Sequence, residues 1–432
     1  MEKISISEFE RRVQEKSTDN QEMGKLAIKL FEESGNVTSI IRRSIKGNFH
    51  EKNIDFEQLK KEIGDVLVCM VQLISQLSGL SLAKIVKRNW EKNHTNYFSG
   101  DFKQDNDLLD FGEYQKNVTA TYRDDLPLKS PEKARFFAMG LMKEIGKISE
   151  LFGENIIDGV SLDRQKYRIE EKLGDTLWYL IAICQTYGMN LEEILHTALE
   201  NMCAKESVQE EAKIYQGNEN ISFKEYTKGT SNTPQGHIIE MNEDDKNREL
   251  ILGLFEEGGE VTELCNDPEL NREHLKDEIG DVLWYISQIA NRLPAMNLEK
   301  VARFNLEKTY TRYQKGDNSI KVEPLQFNDY AAYATNTYKE DLPKSQEERL
   351  TLFSIGLIKE IGKISELYGE NRIDSRTLDV YKVKEKLGDA LWYLTAIART
   401  AGLDLGEIAS ANMIKTQNRK RATEIGSRDE SR

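Results

Sequence analysis

One pattern occurs four times along the 432 residues of this chain. Each copy has an apolar run that carries acidic residues, a break, a second run that contains Gly-Asp, and a later segment with Asn and Lys. Because self-similarity at a regular interval marks a chain built from one repeated supersecondary unit, we expect four related modules. We place module one at 1–105, module two at 106–215, module three at 216–320 and module four at 321–432.

The four copies fall into two kinds. Modules two and four both contain KEIGKISEL and LGD-x-LWYL, whereas modules one and three share FEE-x-G and EIGDVL. The simplest history is a two-module unit that was duplicated whole, with the midpoint near residue 215. Modules would then pair within the chain, and the paired halves could associate further as a homo-oligomer.

The pattern of apolar residues predicts an all-α fold. Apolar residues recur every three or four positions and β-branched alternation is scarce, so we expect four or five helices per module. A glycine precedes the aspartate in every copy, although glycine inside a helix costs up to about 1 kcal/mol against alanine. Its recurrence indicates that another helix approaches closely at that point; the glycines are Gly64, Gly174, Gly280 and Gly388.

Four carboxylates stand at helical spacing in module three. Glu257 and Glu260 lie three residues apart, and so do Glu278 and Asp281. Residues at i and i+3 share one face of a helix, so two such helices packed antiparallel would bring the four carboxylates together. Apolar residues flank both pairs, and charge at the border of a buried face needs compensation. Hard oxygen ligands in this number favour Mg²⁺, with Mn²⁺ as the alternative.

A tail of polar residues follows these acids. Asn305, Lys308 and Arg312 lie at i, i+3 and i+7 and therefore on one helix face. Such a face can bind phosphate oxygens, and an arginine can do so through two parallel hydrogen bonds. We expect the tail to bind the phosphate groups of a substrate at the acids of module three.

The net charge of −14 limits the partners of the chain. A nucleic-acid polymer requires a basic face, so we expect none, whereas a small anionic substrate that arrives with its metal is compatible with this charge. The N-terminus has no apolar signal region and no run approaches the roughly 20 apolar residues of a membrane span. We expect no membrane partner and a reducing, cytoplasmic location. The cysteines lack ligand spacing and are expected to be buried thiols: Cys69, Cys184, Cys203 and Cys265.

The order of these elements resembles a known family. ExxE, 17 residues, ExxD, then LWY and Asn-x-x-Lys-x-x-x-Arg is similar to the MazG-like all-α nucleoside triphosphate pyrophosphohydrolases, and the resemblance extends over nearly the whole chain as four modules. It implies that the acids of module three bind Mg²⁺ and serve catalysis. It also implies that water attacks at the α–β phosphate linkage of a nucleotide, releasing a nucleoside monophosphate and pyrophosphate.

Module one departs from this pattern at one acid. It has Glu33, Glu62 and Asp65, but Asn36 replaces the second glutamate of ExxE. Asparagine can ligate a metal through its carbonyl oxygen but brings no charge, so the expected metal site is weak or inactive. Its tail retains two of the three expected phosphate-binding residues, Asn89 and Lys92, with Asn96 in the place of the arginine.

Modules two and four carry lysines at two of the four acid positions. The lysines are Lys147, Lys172, Lys363 and Lys386. We expect ion pairs with the remaining acids and a structural role. The alternative is that these lysines reach the phosphates bound by a neighbouring module, which the tail Asn412, Lys415 and Arg419 leaves open.

Two functions follow from these observations. The first is a Mg²⁺-dependent nucleotide pyrophosphohydrolase with its main site in module three. The second is a nucleotide-binding sensor or regulatory subunit of the same fold with weak catalysis. The Trp-Tyr pairs that follow Gly-Asp in modules two, three and four either pack in the core or stack on a base.

Overall fold

The computed structural model describes most of the chain. The described residues are 4–17, 22–43, 54–97, 111–121, 130–202, 221–231, 233, 241–313, 323–338, 342–373 and 377–429. They form two compact units, Met1–Gln209 and Glu210–Arg432, which we call the N-terminal unit and the C-terminal unit.

The N-terminal unit contains eight helices in its described part. They are α1 (Ile6–Lys16), α2 (Met23–Arg43), α3 (Phe56–Ser75), α4 (Leu82–Tyr97), α5 (Phe111–Thr121), α6 (Ser130–Asp158), α7 (Leu162–Thr186) and α8 (Leu191–Asn201).

The described part of the C-terminal unit also contains eight helices. They are α9 (Phe223–Thr230), α10 (Glu243–Asn266), α11 (Arg272–Arg292), α12 (Leu298–Tyr313), α13 (Phe327–Thr335), α14 (Gln346–Ile373), α15 (Val380–Thr400) and α16 (Leu405–Asp429). The described residues contain no β-strand in either unit, which confirms the expected all-α fold. None of the described helices is long and apolar enough to cross a membrane.

Each unit is built from two helical hairpins that pack against each other. In the N-terminal unit α2 pairs with α3 and α6 pairs with α7, and α2 packs against α6. In the C-terminal unit the hairpins are α10–α11 and α14–α15, joined through α10 and α14. Among the described residues, four helices fall within each range predicted for a module. The division into four modules stays a prediction, and each module name denotes its sequence range.

The helix that follows each hairpin packs against the other hairpin. In the C-terminal unit α12 contacts α15, and α16 contacts α11. In the N-terminal unit α4 contacts α7, and α8 contacts α3. The second helix of each hairpin therefore packs against a helix that follows the other hairpin of its unit. This exchange determines which side chains lie beside each group of acids.

Local sequence explains where three of the second hairpin helices begin, α3, α11 and α15. The side chain of Asp55 accepts a hydrogen bond from the backbone N–H of Gln58, Asn271 caps α11 in the same way, and Asp379 caps α15. Each cap satisfies a backbone donor that the first turn leaves unpaired. The acidic motif then follows within the first three turns, so the cap sets the distance of the acids from the helix start.

The glycines before the aspartates stand where these exchanged helices come closest. A Cβ atom on Gly280 would lie 2.9 Å from Cβ of Asn412 on α16, and one on Gly64 would lie 2.8 Å from Cβ of Ala198 on α8. Gly174 and Gly388 face Asn89 and Asn305 at 3.0 and 2.9 Å. These separations are too short for an ordinary side chain, and they confirm that a close helix approach requires glycine.

The Trp-Tyr pairs lie against the hairpin partners. Nε1 of Trp284 donates a hydrogen bond to Oγ1 of Thr233 at 2.9 Å, and the ring of Tyr285 covers Gly253 on α10. Trp178 and Trp392 make the same bond to Thr121 and Thr337. This arrangement favours core packing for the pairs. Three cysteines are buried, as expected, and Cys203 lies outside the described residues.

Candidate metal and phosphate site

Three carboxylates of module three converge in the C-terminal unit. Glu257 and Glu260 of α10 and Glu278 of α11 each offer an oxygen, and these oxygens all lie within 4.8 Å of one another. Glu278 is only 6% exposed, and the cluster borders the fully buried Leu254 and Ile279. A divalent cation with oxygen ligands fits this donor set.

The electrostatics of the cluster support the same conclusion. Burial, followed by the charges of Glu260 and Glu257, raises the pKa of Glu278 to about 11. Three carboxylates this close cannot all ionise in a poorly solvated place, because like charges and desolvation both favour the protonated form. A bound dication would reverse this preference, since it favours the ionised ligands.

Asp281 has a different role from the other three acids. It lies outside the group of three oxygen donors, and its own oxygens face helix α16. Nδ2 of Asn412 donates to Oδ1 of Asp281 at 2.7 Å, and Nζ of Lys415 donates to Oδ2 at 2.7 Å. Burial raises the pKa of Asp281, and the charge of Lys415 opposes that rise.

Two further charged groups complete the arrangement. Nζ of Lys415 also lies 2.6 Å from Oδ2 of Asp277, so one ammonium joins two carboxylates on successive turns of α11. The guanidinium of Arg419 lies 4.0 Å from Oδ2 of Asp281, with its side chain 55% exposed. A cationic helix face therefore stands beside the acidic cluster, and Arg419 is at its solvent side.

His274 is a neighbour that the sequence interpretation missed. Its Nε2 lies 3.1 Å from Oε1 of Glu278, one turn away on the same helix. No two histidines of the chain stand at metal-ligand spacing, so the histidines by themselves give no signal. The i, i+4 spacing of His274 and Glu278 was the available signal.

The expected position of the module-three tail is wrong. Nδ2 of Asn305 lies 3.2 Å from Oδ1 of Asp389, and Nζ of Lys308 contacts Asp389 and, at 3.3 Å, Glu385. Both residues thus face α15 of module four instead of the acids of module three. The side chain of Arg312 lies outside the described residues.

The module-one tail is displaced in the same way. Nδ2 of Asn89 donates to Asp175 at 3.1 Å, and Nζ of Lys92 lies 2.8 Å from Asp175 and 2.9 Å from Glu171. These acids belong to α7 of module two. The physical reason is the exchange of helices: the helix after each hairpin crosses to the other hairpin, so its polar face meets the other module's aspartate. Spacing along one helix predicts a shared face, but not which partner that face meets.

Module one contains a second cluster with a different environment. Glu33, Glu62 and Asp65 offer oxygens within 4.8 Å of one another. Nζ of Lys61 lies 3.2 Å from Glu62 and 3.5 Å from Asp65. Burial raises the pKa of Glu33 well above its ordinary value, as do the neighbouring carboxylates, while the ammonium of Lys29 opposes the rise. Two lysines thus already neutralise part of this cluster.

The helix that crosses module one lacks the polar groups of its counterparts. Ala198 meets Gly64 where Asn412 meets Gly280, and one turn further Asn201 corresponds to Lys415. Lys61 in turn occupies the position of Asp277. The cation therefore comes from the acid helix itself instead of from the crossing helix.

In modules two and four lysines stand among the acids. Nζ of Lys172 lies 3.2 Å from Glu144 and 3.5 Å from Asp175. Nζ of Lys386 lies 3.2 Å from Glu360 and 3.6 Å from Asp389. These distances give the expected ion pairs between lysine and acid.

The fold and the site define an all-α protein of helical hairpins with a carboxylate cluster suited to a divalent cation. A model of the MazG nucleotide pyrophosphohydrolase domain matches residues 245–316. That range contains Glu257, Glu260, Glu278 and Asp281. It ends before the crossing helix α16.

Part of the chain is also similar to a phage protein. The Gene 37 protein of Mycobacterium phage L5 is 35% identical over 76 residues, which is 16% of this chain and 66% of that protein. The chain therefore spans about two thirds of that relative's length. No solved structure matches the chain.

Proposed function

We propose that the chain is a Mg²⁺-dependent nucleotide pyrophosphohydrolase. It cleaves the α–β linkage of ribo- or deoxyribonucleoside triphosphates, and its main site is the cluster of Glu257, Glu260, Glu278 and Asp281. The convergence of three carboxylates beside a lysine- and arginine-bearing helix carries this proposal. The match to a MazG nucleotide pyrophosphohydrolase domain over 245–316 supports the reaction class.

The residues divide the work between metal and phosphate. Glu257, Glu260 and Glu278 would hold the metal, and Asp281 would adjoin it from the side of α16, where Asn412 and Lys415 fix its carboxylate. The metal, when bound, supplies Lewis-acid stabilisation of the phosphate charge and a lower pKa for the attacking water. Arg419, at the solvent side, binds phosphate oxygens, and Lys415 holds Asp281 in place and favours its ionised form.

The reaction requires one bond to form and one to break. The water oxygen attacks a phosphorus of the α–β anhydride, and the bridging P–O bond breaks to release pyrophosphate and the monophosphate. One of the cluster glutamates accepts the proton of the attacking water and passes it to solvent. Charged groups placed before the reaction stabilise the growing negative charge without reorganisation.

The expected roles of the first two tails change with their positions. Asn305 and Lys308 bind the acids of module four, and Asn89 and Lys92 bind those of module two, so we assign the phosphate contacts of module three to α16 instead. Glu33, Glu62 and Asp65 form a weaker metal site, because Lys29 and Lys61 compete with any cation. Modules two and four complete the bundles without a metal.

A product analysis tests the proposal. Purified chain and its Glu278→Gln variant are incubated with a panel of NTPs and dNTPs and Mg²⁺ in water enriched in ¹⁸O, and products are separated by chromatography. We expect monophosphate and pyrophosphate from the wild type only, with ¹⁸O in one product identifying the phosphorus attacked. Diphosphate and orthophosphate would contradict the bond assignment. Intact nucleotides that nevertheless bind would favour the sensor function.

A further inference from the structure

A buried tyrosine is linked to the candidate site through one asparagine. Tyr226, on the short helix α9, is completely buried, and its hydroxyl donates to Oδ1 of Asn412 at 2.8 Å. Nδ2 of the same asparagine donates to Oδ1 of Asp281 at 2.7 Å. Tyr226 itself does not contact any of the acids in these bonds, so its influence passes through the amide.

The chemistry of an amide explains what this hydroxyl can do. A side-chain amide has an accepting oxygen at one end and donating hydrogens at the other, and it can present either end to a neighbour. The hydroxyl of Tyr226 occupies the oxygen of Asn412, which leaves the NH₂ group for Asp281. If the amide turned round, its oxygen would face the carboxylate oxygen and two acceptors would oppose each other. Asn412 is only 3% exposed, so water does not readily replace the missing bond.

The same chain of hydrogen bonds occurs at two other aspartates. The hydroxyl of Tyr330 donates to Asn305 at 3.0 Å, and Asn305 donates to Asp389. The hydroxyl of Tyr114 donates to Asn89 at 2.6 Å, and Asn89 donates to Asp175. The tyrosine–asparagine pair is therefore a repeated part of the frame around these aspartates.

Module one shows what happens when the asparagine is absent. Ala198 replaces it against Gly64, and Phe9 stands in the position of Tyr226. The ring of Phe9 packs edge-on against Phe111 with centroids 5.9 Å apart, as the ring of Tyr226 packs against Phe327 at 5.4 Å. The aromatic ring is retained and only the hydroxyl is lost together with the amide. The hydroxyl thus binds the asparagine, whereas the ring packs in the core.

We propose that Tyr226 is a positioning residue, which acts through Asn412 to hold the carboxylate of Asp281 in the orientation that the metal cluster of module three requires. The proposal rests on the metal site of the proposed function. It assigns a role in metal affinity to a residue that touches neither metal nor substrate. Groups that orient metal ligands in this way typically contribute ten- to a hundredfold to affinity or activity.

A double-mutant cycle on the full chain tests this role. Mn²⁺ binding is measured by calorimetry for the wild type, Tyr226→Phe, Asn412→Ala and the double variant, with Glu278→Gln as the baseline for binding elsewhere. We expect Tyr226→Phe to weaken Mn²⁺ binding about tenfold, in the range typical of ligand-orienting groups. In the Asn412→Ala background Tyr226→Phe should have no further effect, because no amide remains to be oriented.

Tyr330→Phe is the matched control. It removes the same buried bond to an asparagine beside the lysine-containing cluster of module four, so it should lower thermal stability by a similar amount without weakening Mn²⁺ binding. Equal losses of Mn²⁺ affinity in Tyr226→Phe and Tyr330→Phe would overturn the proposal in favour of general destabilisation. Unchanged affinity in Tyr226→Phe, or additive losses in the double variant, would also overturn it.

A second readout separates this inference from the proposed function. The side-chain NH₂ resonances of Asn412 are followed in ¹⁵N-asparagine-labelled protein without metal, and Tyr226→Phe should shift them. If the wild type binds no Mn²⁺ but Tyr226→Phe still shifts the Asn412 resonances, the metal site is rejected and the orienting contact is retained. If Tyr226→Phe leaves the Asn412 resonances unshifted while the wild type binds Mn²⁺, only the role of Tyr226 is rejected.

Discussion

The C-terminal unit holds two clusters whose surroundings are alike and whose charges differ. Asp281 and Asp389 each accept a hydrogen bond from a tyrosine-oriented asparagine, and each contacts a lysine on a crossing helix. The glutamates at 260 and 278 correspond to Lys363 and Lys386 beside Asp389. Nζ of Lys386 lies 3.2 Å from Glu360, so a side chain provides the positive charge that a metal would provide beside Asp281.

The two aspartates share their surroundings and differ in the charged residues beside them. Close helix crossing, the buried tyrosine and the crossing lysine are present at both aspartates, so they are properties of the hairpin pair. In the function that we propose, metal binding depends on the two additional carboxylates of module three, Glu260 and Glu278. Module one is the converse case, since it keeps Glu33, Glu62 and Asp65 but has lost the crossing asparagine and lysine.

The largest expected effect comes from removing one of the two distinguishing carboxylates. We expect Glu278→Gln to lower hydrolysis by at least about a thousandfold, because it removes a metal ligand from the proposed site. Glu62→Gln, at the equivalent position of module one, should cost far less. Steady-state rates with the best substrate of the panel decide this, with circular dichroism as the check on folding. Complete loss in Glu62→Gln and full activity in Glu278→Gln would reverse the ranking of the two clusters.

Removing the crossing lysine should have the next largest effect. Lys415→Met leaves Asp277 and Asp281 without their shared cation, and we expect kcat/KM to fall about a hundredfold, the upper end of the range for groups that hold a metal ligand in place. Lys308→Met makes the same change beside Asp389 and should leave kcat/KM within about twofold. Similar losses from both substitutions would show that the two aspartates contribute equally to activity.

Restoring the carboxylates of module four sharpens the comparison further. If Tyr330, Asn305 and Lys308 hold Asp389 as their counterparts hold Asp281, Lys363→Glu combined with Lys386→Glu should create a second Mn²⁺ site. Calorimetric stoichiometry should rise by at least one Mn²⁺ per chain. Lys382→Glu, an exposed position on the same helix, is the control for added negative charge and should leave the stoichiometry unchanged. An unchanged stoichiometry in the double variant would mean that the surroundings of Asp389 differ from those of Asp281 in a way that their hydrogen bonds do not show.

The least direct test concerns stability without metal. The pKa of Glu278 is raised to about 11, so the folded chain retains a proton that the unfolded chain releases near its ordinary pKa of 4.5. This contribution to stability is fully present below pH 4.5 and is lost progressively as the pH rises towards 11. Each such group changes the free energy of unfolding by at most about 1.4 kcal/mol per pH unit.

Denaturant unfolding in EDTA between pH 5 and 9 measures this slope. Stability should fall as the pH rises, and Glu278→Gln should reduce the slope because glutamine carries no titratable proton. Saturating Mg²⁺ should oppose the fall, since metal binding favours the ionised carboxylates. A slope in Glu278→Gln equal to that of the wild type would assign the pH dependence to other groups.

Much of the fold could be predicted from local patterns. Periodicity of 3.6 residues gave an all-α fold, because burial of one helix face is a local property of the sequence. The glycine before each aspartate predicted a close helix crossing, which the contacts of Gly64, Gly174, Gly280 and Gly388 bear out. The ion pairs of Lys172 and Lys386 also followed from charge alone.

The partners of the tails could not be predicted in this way. The sequence suggested that Asn305 and Lys308 serve the acids that precede them, whereas they contact Asp389. The residues that do reach Asp281, Asn412 and Lys415, lie more than a hundred positions later. The sequence holds one clue in retrospect: module one, whose Gly64 is crossed by Ala198, also lacks the tyrosine hydroxyl.

The sequence by itself determined the helices, their buried faces, their caps and the spacing of Glu257, Glu260, Glu278 and Asp281. These depend on neighbours within one or two helical turns, and the chain carries them in any context. Only the tertiary structure decided which crossing helix stands over which aspartate, because that depends on how two hairpins bury their apolar faces against each other. The polar residues follow the helices that this packing brings together.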